Sequence, residues 1–524
     1  MAISLTVNGA PVTIDREDGS LLEALRDHLG LTSVKDGCSP QGQCGCCTVW
    51  VDGDARVACV TPLRRMAERA VTTLEGLDAD VAADWGDRMC EHGGSQCGFC
   101  TAGIVMRLEA ATQRAPGPLD RSAVNRALAA HLCRCTGWQT IVEAAIDDRP
   151  IQVRSSGVAR SARSLEAASR RASIEGHTPQ VVDPSVALGW SGFGDDGAPP
   201  DSLIAVRDDH GDWVVGETLG EARAAAEKVQ GRHTTVDPAP PIDLPVDVSG
   251  AGWDLTLQTS WVEPAYLETD AAWCEPGRTP SSPLANGGAF GAKTTSDVAT
   301  VARRLADEYG RAVRVRWSRE DSVRLGVKRP PLAAGLRADG TGQLLVARTS
   351  DIVGAIATYL PSVDVTEVEL AGPPTSAALR GAGWAEAAVL AAALAGSDGT
   401  IVSPTGASGT ASIGADGTIT VSVSCGIPLD ETVLRSYCIG AAHMALGWVT
   451  SEGLSVGADG TVADLTIRSF GIIRPAEMPR VVVEIDRDST AEPVCGSDAV
   501  FAAVASAVWH RVGHRPVWPT GHLS

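Results

Sequence analysis

The cysteines of this chain are unevenly placed. Ten of the fourteen fall before residue 136, and only Cys274, Cys425, Cys438 and Cys495 come later. Clustering of that kind points to metal ligation, whereas scattered cysteines serve as small buried apolar residues. We read the four late ones in the second way. The early ones form two groups. One reads Gly37-Cys38-Ser39-Pro40-Gln41-Gly42-Gln43-Cys44-Gly45-Cys46-Cys47-Thr48-Val49, with Cys59 downstream; the other joins Cys97 and Cys100 to Cys133 and Cys135. Zinc sites favour short knuckle pairs separated by a linker. Three thiolates in one glycine-containing loop plus one distant thiolate is instead plant-type [2Fe–2S] spacing. The small residues there let backbone N–H groups turn toward the cluster's sulfurs. The second group, taken alone, suits either metal.

The rest of the composition limits the partners. The chain has 524 residues with 44 Lys+Arg against 64 Asp+Glu, a formal charge of −20 and a pI of about 4.9. Nucleic acid and anionic membranes need a positive face, so neither is expected. No apolar run reaches transmembrane length. The opening Met1-Ala2-Ile3-Ser4-Leu5-Thr6-Val7 has no basic region leading into an apolar stretch, so a cytoplasmic protein without a secretory signal is expected. Thiols stay reduced in that compartment.

The chain divides by pattern. Residues 3–7 and 11–15 alternate in polarity around Asn8-Gly9, a type I′ hairpin signal. Ser20-Leu21-Leu22-Glu23 is a capping box opening a helix to about Leu29, with Gly30 ending it. A second hairpin is expected over 47–50 and 56–60, so residues 1–76 form a β-rich unit with one helix and a cysteine loop. Residues 77–148 turn helical, with helices expected over 98–113, 122–131 and 137–146; a bundle could bring the two cysteine pairs together. Residues 149–202, poor in large apolar side chains, read as a surface-tracking linker with one short helix from Ser164. Residues 203–524 are mixed α+β. Strands are expected over 212–215, 254–259, 313–317, 418–423 and 480–485, and helices over 219–229, 296–309, 386–395 and 499–512.

At this point the motifs accumulate into a family likeness. Gly42-Gln43-Cys44-Gly45-Cys46-Cys47-Thr48-Val49, Ala58-Cys59-Val60-Thr61-Pro62, Gln96-Cys97-Gly98-Phe99-Cys100-Thr101 and Cys133-Arg134-Cys135-Thr136-Gly137 occur in the order found in the molybdenum hydroxylases. The first 148 residues therefore resemble the double [2Fe–2S] portion of the xanthine dehydrogenase and aldehyde oxidoreductase family. The resemblance implies an α+β chain: a β-grasp ferredoxin-like domain, a helical-bundle [2Fe–2S] domain and a shortened molybdopterin-binding-like region. It assigns Cys38, Cys44, Cys47 and Cys59 to a cluster near the surface. It assigns Cys97, Cys100, Cys133 and Cys135 to an inner one, with Gln96 touching a pterin. The family places four residues between its first two ligands, and this chain has five, Ser39 to Gln43. Cys38 remains the best first ligand and Cys46 its competitor, while Cys90 has no counterpart.

The second half resembles the family's molybdenum-binding portion in shortened form. Its markers are Val215-Gly216-Glu217-Thr218-Leu219, Pro264-Ala265-Tyr266-Leu267-Glu268, Asn286-Gly287-Gly288-Ala289-Phe290-Gly291-Ala292-Lys293, Arg314 to Glu320, and Leu379-Arg380-Gly381-Ala382-Gly383. By that likeness Gly287, Gly288, Phe290 and Gly291 belong to a pterin loop, and a glycine-rich loop does let backbone N–H groups approach an anion. The alternative is a tight turn packed under a helix. Arg380 is either a substrate-orienting residue or an ion-paired one. The family's catalytic glutamate is replaced by Cys495-Gly496-Ser497-Asp498. Asp498 is better read as a helix cap than as a general base with a shorter reach. The family implies two [2Fe–2S] clusters, molybdopterin, and FAD carried only on a partner chain, with a possible separate molybdenum subunit. The expected chemistry is oxidation of an aldehyde or N-heterocycle with electrons relayed through both clusters. The alternative is a non-catalytic electron-transfer scaffold docking a separate catalytic chain.

Overall fold

Asn8 and Gly9 both take positive φ, 51° and 80°, the type I′ geometry that matches the right-handed twist of the flanking strands. In the computed structural model, which describes residues 2–38, 40–147, 163–228, 237–284, 286–396 and 399–521, this turn joins Ile3–Val7 to Ala10–Ile14. The hairpin belongs to a five-stranded sheet in the order Ala10–Ile14, Ile3–Val7, Ala70–Thr72, Thr48–Val51, Asp54–Val57, with Ile3–Val7 parallel to Ala70–Thr72. That is the β-grasp arrangement. The capping box forms: Ser20 Oγ accepts from Glu23 N–H at 3.3 Å and donates to Glu23 Oε1 at 3.1 Å. The helix runs over Leu21–Glu23 and widens to a π-type turn over Ala24–His28. The second hairpin is shifted from expectation. Its return strand is Asp54–Val57, and Ala58–Val60 coils into a 3₁₀ turn, because Ala58 N–H bonds Cys47 C=O at 3.0 Å and draws Cys59 inward.

Four helices follow. Thr101–Arg114, Arg121–Leu128 and Gln139–Ile146 match the expected three. Ala79–His92, capped by Asp78, is an addition.

The linker reading needs correction. Residues 149–162 lie outside the described residues, but from Arg163 onward the chain enters the interior. Ser164 caps the helix Leu165–Gly176, as expected, yet Arg171 and Glu175 are both fully buried. Arg171 pairs with Glu175 at 3.0 Å and donates to the carbonyls of Ile427, Pro428 and Val494. Charge pairing and saturated donors make that burial tolerable.

Three sheets organise the second half, in the strand orders Trp213–Gly216, Leu203–Arg207, Val313–Arg316, Ala271–Cys274; then Val363–Val368, Gly342–Ala347, Leu332–Leu336, Leu255–Thr259, Val517–Trp518; then Ile401–Val402, Ser408–Ile413, Ile419–Ser424, Val481–Ile485. Val298–Tyr309 backs the first sheet and Ser497–Arg511 the third. A 20-residue helix that the pattern did not reveal, Glu431–Thr450, runs through the core against Ser497–Arg511 and Leu165–Gly176. It is buried on nearly every side, so its sequence carries no amphipathic stripe.

The halves interlock. One apolar core contains Leu21, Met89 and Val105 together with Trp261, Ile467 and Phe470. Gln139 exchanges two hydrogen bonds with the backbone of Val481, and Trp138 Nε1 donates to Ile473 C=O at 2.9 Å. Among the described residues no helix is long and apolar enough to cross a membrane.

Candidate functional site

The first cysteine set gathers despite its extra loop residue. The Cys38 thiol contacts those of Cys44 and Cys59, and Cys59 contacts Cys47. All four are buried. The Gln43 and Cys59 N–H groups point at Cys38 Sγ and Cys47 Sγ, each at 3.4 Å. Hydrogen bonding from Cys44, then Cys59, pulls the Cys38 thiol well below its ordinary value, while the same contacts push Cys44 and Cys59 up. Four mutually opposed thiols can all ionise only around a positive centre.

The second set repeats this at the start of Thr101–Arg114 and the turn after Arg121–Leu128. Cys135 Sγ lies 3.5 Å from Cys97 Sγ, and Cys133 contacts Cys100. The Cys100 thiol, followed by the Thr136 hydroxyl at 3.2 Å, holds Cys133 down to about 6. Thr136 was not singled out from the sequence, although it directly follows the Cys-Arg-Cys step. The loops carrying the two sets touch through backbone: Leu132 N–H donates to Cys44 C=O at 3.0 Å.

Cys46 contacts the Cys44 thiol and lies within electrostatic reach of Cys38 and Cys47 of the first set and of Cys133 and Cys100 of the second. Cys90 sits beside Arg163, its thiol raised by burial to about 11. The late cysteines are buried, as expected.

The glycine loop meets Arg380, which in turn reaches Asp498. Arg380 N–H bonds Phe290 C=O at 3.1 Å, and its guanidinium lies 5.2 Å from the Phe290 ring centroid. Arg380 Nε reaches Asp498 Oδ1 at 2.9 Å, and His177 Nε2 reaches Asp498 Oδ2 at 2.9 Å. The reading of Asp498 as a cap is therefore corrected. The helix starts at Ser497, so Asp498 lies past the capping position. The Gly496 and Ser497 N–H groups are taken instead by the buried Glu175 carboxylate at 3.1 and 2.8 Å. Burial favours a neutral Asp498, but His177 and Arg380 outweigh it and hold the carboxyl below its ordinary value. That is the wrong direction for a general base working near neutral pH. Glu175 and His177 escaped sequence reading because they lie in the stretch read as linker.

The loop is filled by the chain itself. A Cβ added at Gly287 would lie 2.5 Å from the Gln180 amide, one at Gly288 3.0 Å from Cys97 Sγ, and one at Gly291 1.8 Å from Ala378 C=O. Gln96 spends both amide hydrogens internally, on Cys135 C=O and Ser436 Oγ, each at 3.0 Å. The cavity bordered by Phe290 and Arg380 has a volume of about 30 Å³. That is room for about two waters, whereas cofactor pockets run to roughly 300–1,000 Å³. Larger hollows of about 300, 470 and 620 Å³ lie away from the loop. Molybdopterin does not fit the residues that resembled its loop.

Known proteins agree on the first part. Family models for a 2Fe-2S iron-sulfur cluster binding domain and a [2Fe-2S] binding domain match residues 5–71 and 73–146. The isoquinoline 1-oxidoreductase alpha subunit of Brevundimonas diminuta is 39% identical over 141 residues, 26% of this chain and 91% of that protein. The xanthine dehydrogenase iron-sulfur-binding subunit of Escherichia coli is 37% identical over 149 residues, 28% of this chain and 93% of that protein. The aldehyde oxidoreductase structure from Desulfovibrio gigas superposes with a TM-score of 0.69 at 14% identity, covering 99% of each chain. At that identity the likeness concerns the fold.

Proposed function

Because this chain belongs to the molybdenum hydroxylase family of xanthine dehydrogenase and aldehyde oxidoreductase, we propose that it is the electron-relay component of such an oxidoreductase and that residues 203–524 act as scaffold. Cys38, Cys44, Cys47 and Cys59 would hold one [2Fe–2S] cluster, and Cys97, Cys100, Cys133 and Cys135 the other. When bound, each cluster supplies a one-electron store. The chain's own residues do the rest. Thiolates set the ligand field, the Gln43 and Cys59 N–H groups and the Thr136 hydroxyl offer hydrogen bonds to sulfur, and burial excludes water. The observation that carries the reading is the gathering of eight thiols into two sets of four on touching loops.

The self-filled glycine loop favours a separate catalytic chain, which would oxidise an aldehyde or N-heterocycle, and a separate FAD-carrying chain. Metal analysis of anaerobically purified protein tests this. About four irons per chain, two reduced-cluster EPR signals and no stoichiometric molybdenum are expected. Colourless, iron-free protein after anaerobic reconstitution would refute the relay, and one molybdenum with a released pterin would refute the scaffold.

A further inference from the structure

Eight arginines are buried among the described residues, and seven of them pair with a carboxylate. Arg319 is the exception. It opens the helix Arg319–Leu325, is 0% exposed, and donates to three backbone carbonyls: Tyr266 at 2.9 Å, Leu267 at 2.7 Å and Gly37 at 2.5 Å. Its Nε has no partner among the described residues. The carboxylates on the segments around it are engaged elsewhere. Asp36 pairs with Arg316 at 2.8 Å, Glu320 accepts from the Gln41 amide at 3.1 Å, and Asp270 accepts from the Tyr266 hydroxyl at 2.7 Å. Neutral donors could serve three carbonyls equally well. A buried charge is tolerated only when it is paired, so a guanidinium in this place calls for an anion that the described side chains do not supply.

The carbonyl that Arg319 grips leads to the thiols. Gly37 directly precedes Cys38, and a Cβ added to it would lie 3.0 Å from Cys44 Sγ and 3.1 Å from Cys46 Sγ. The guanidinium therefore sits behind the residue against which the first cysteine set packs. The same loop carries the extra residue, and its Gln41 is tied to the second half as well, donating to Leu465 C=O at 2.9 Å and accepting from Ile467 N–H at 3.1 Å. Arg319 and the loop are thus held together by contacts on either side of Cys38.

We propose that Arg319 is the counter-ion of the first cysteine set, a fixed charge that the C-terminal half contributes to the loaded site. The inference rests on the relay reading and deepens it, because it gives the scaffold half a part in setting the potential. Four thiolates around a [2Fe–2S] core make a dianion, and one added electron makes a trianion. The guanidinium keeps its proton throughout, so the electron arrives alone and no bond of the chain forms or breaks. A fixed positive charge in a low-dielectric interior favours the more negative of the two states. Without it, the first set should be harder to reduce, and the second set should change less.

The test is an EPR-monitored dithionite titration of the iron-loaded full chain as wild type, Arg319→Gln and Arg319→Lys. The signal that survives Cys97→Ser identifies the first set. Glutamine keeps a donor for the carbonyls without the charge, and lysine keeps the charge. Arg319→Gln is expected to disfavour reduction of the first set about tenfold, a midpoint lowered by about 59 mV for one electron. The second midpoint should move less, and Arg319→Lys should recover most of the shift. An unmoved first midpoint in Arg319→Gln, equal shifts of both midpoints, or equal shifts in the two variants would overturn the proposal. If Arg319→Gln loses the first signal altogether, Arg319→Lys decides: iron and signal regained support the charge, and their loss in both variants overturns it. Wild type without iron would overturn the relay reading together with the counter-ion, whereas an unmoved midpoint in loaded protein would overturn the counter-ion alone.

Discussion

Replacing Glu452 with glutamine should loosen the joint between the second cysteine set and the C-terminal half. Arg134 lies between Cys133 and Cys135, its side chain 4% exposed, and both its Nη atoms meet the Glu452 carboxylate, at 2.5 and 2.7 Å, where that side chain is 1% exposed. Nε is occupied by Pro264 C=O at 3.1 Å. Glutamine keeps the shape that packs against Gly447, where a Cβ would lie 2.1 Å from Oε1, so the change is almost purely one of charge. Cutting a buried pair from one side leaves an uncompensated guanidinium and costs about 3–5 kcal/mol. That is a shift of more than about a hundredfold in the folding equilibrium. Urea unfolding followed by tryptophan fluorescence, with the visible absorbance of the clusters recorded in parallel, measures it. Arg134→Met/Glu452→Met should recover most of the loss, because an apolar pair of similar volume carries no desolvation penalty. A Glu452→Gln cost below about 1 kcal/mol, or a double variant less stable than Glu452→Gln itself, would refute the reasoning.

Three further outcomes are expected. Cys97→Ser should remove one reduced-cluster EPR signal and about half of the iron; loss of neither would contradict the assignment. Cys46→Ala should keep both signals whereas Cys38→Ala loses one, and the reverse result would make Cys46 the first ligand. Asp498 raises the His177 pKa by accepting its hydrogen bond, so the native value lies above that of the unfolded chain. The stabilisation is complete below about pH 6.5 and fades as pH rises through the native value. The melting-temperature difference between wild type and His177→Asn should thus be larger at pH 5.5 than at pH 8.5, and a difference that grows with pH would exclude this origin.

What was legible in the sequence was local. Asn8-Gly9 at a hairpin, Ser20 three residues before Glu23, and the short cysteine spacings act within one turn or loop, so their geometry is written in neighbouring residues. The helix Glu431–Thr450 was not legible, because burial on all sides erases the periodicity that reveals amphipathic helices. The linker reading failed for the converse reason. Arg171 and Glu175 look like surface charges until each meets its partners inside the fold.

The sequence by itself determined the identity and spacing of the early cysteines, which are covalent facts; spacing marked the first group as suited to an iron–sulfur cluster, and the family resemblance extended that to two sets of four. Only the tertiary structure decided what became of the second half. Asp498, Arg380 and His177 come from remote segments, and whether they surround a cofactor or tie up one another depends on the space left between them. Gln180, Cys97 and Ala378 close that space against the loop glycines. A glycine permits close approach without choosing what approaches, and here packing chose the chain's own atoms.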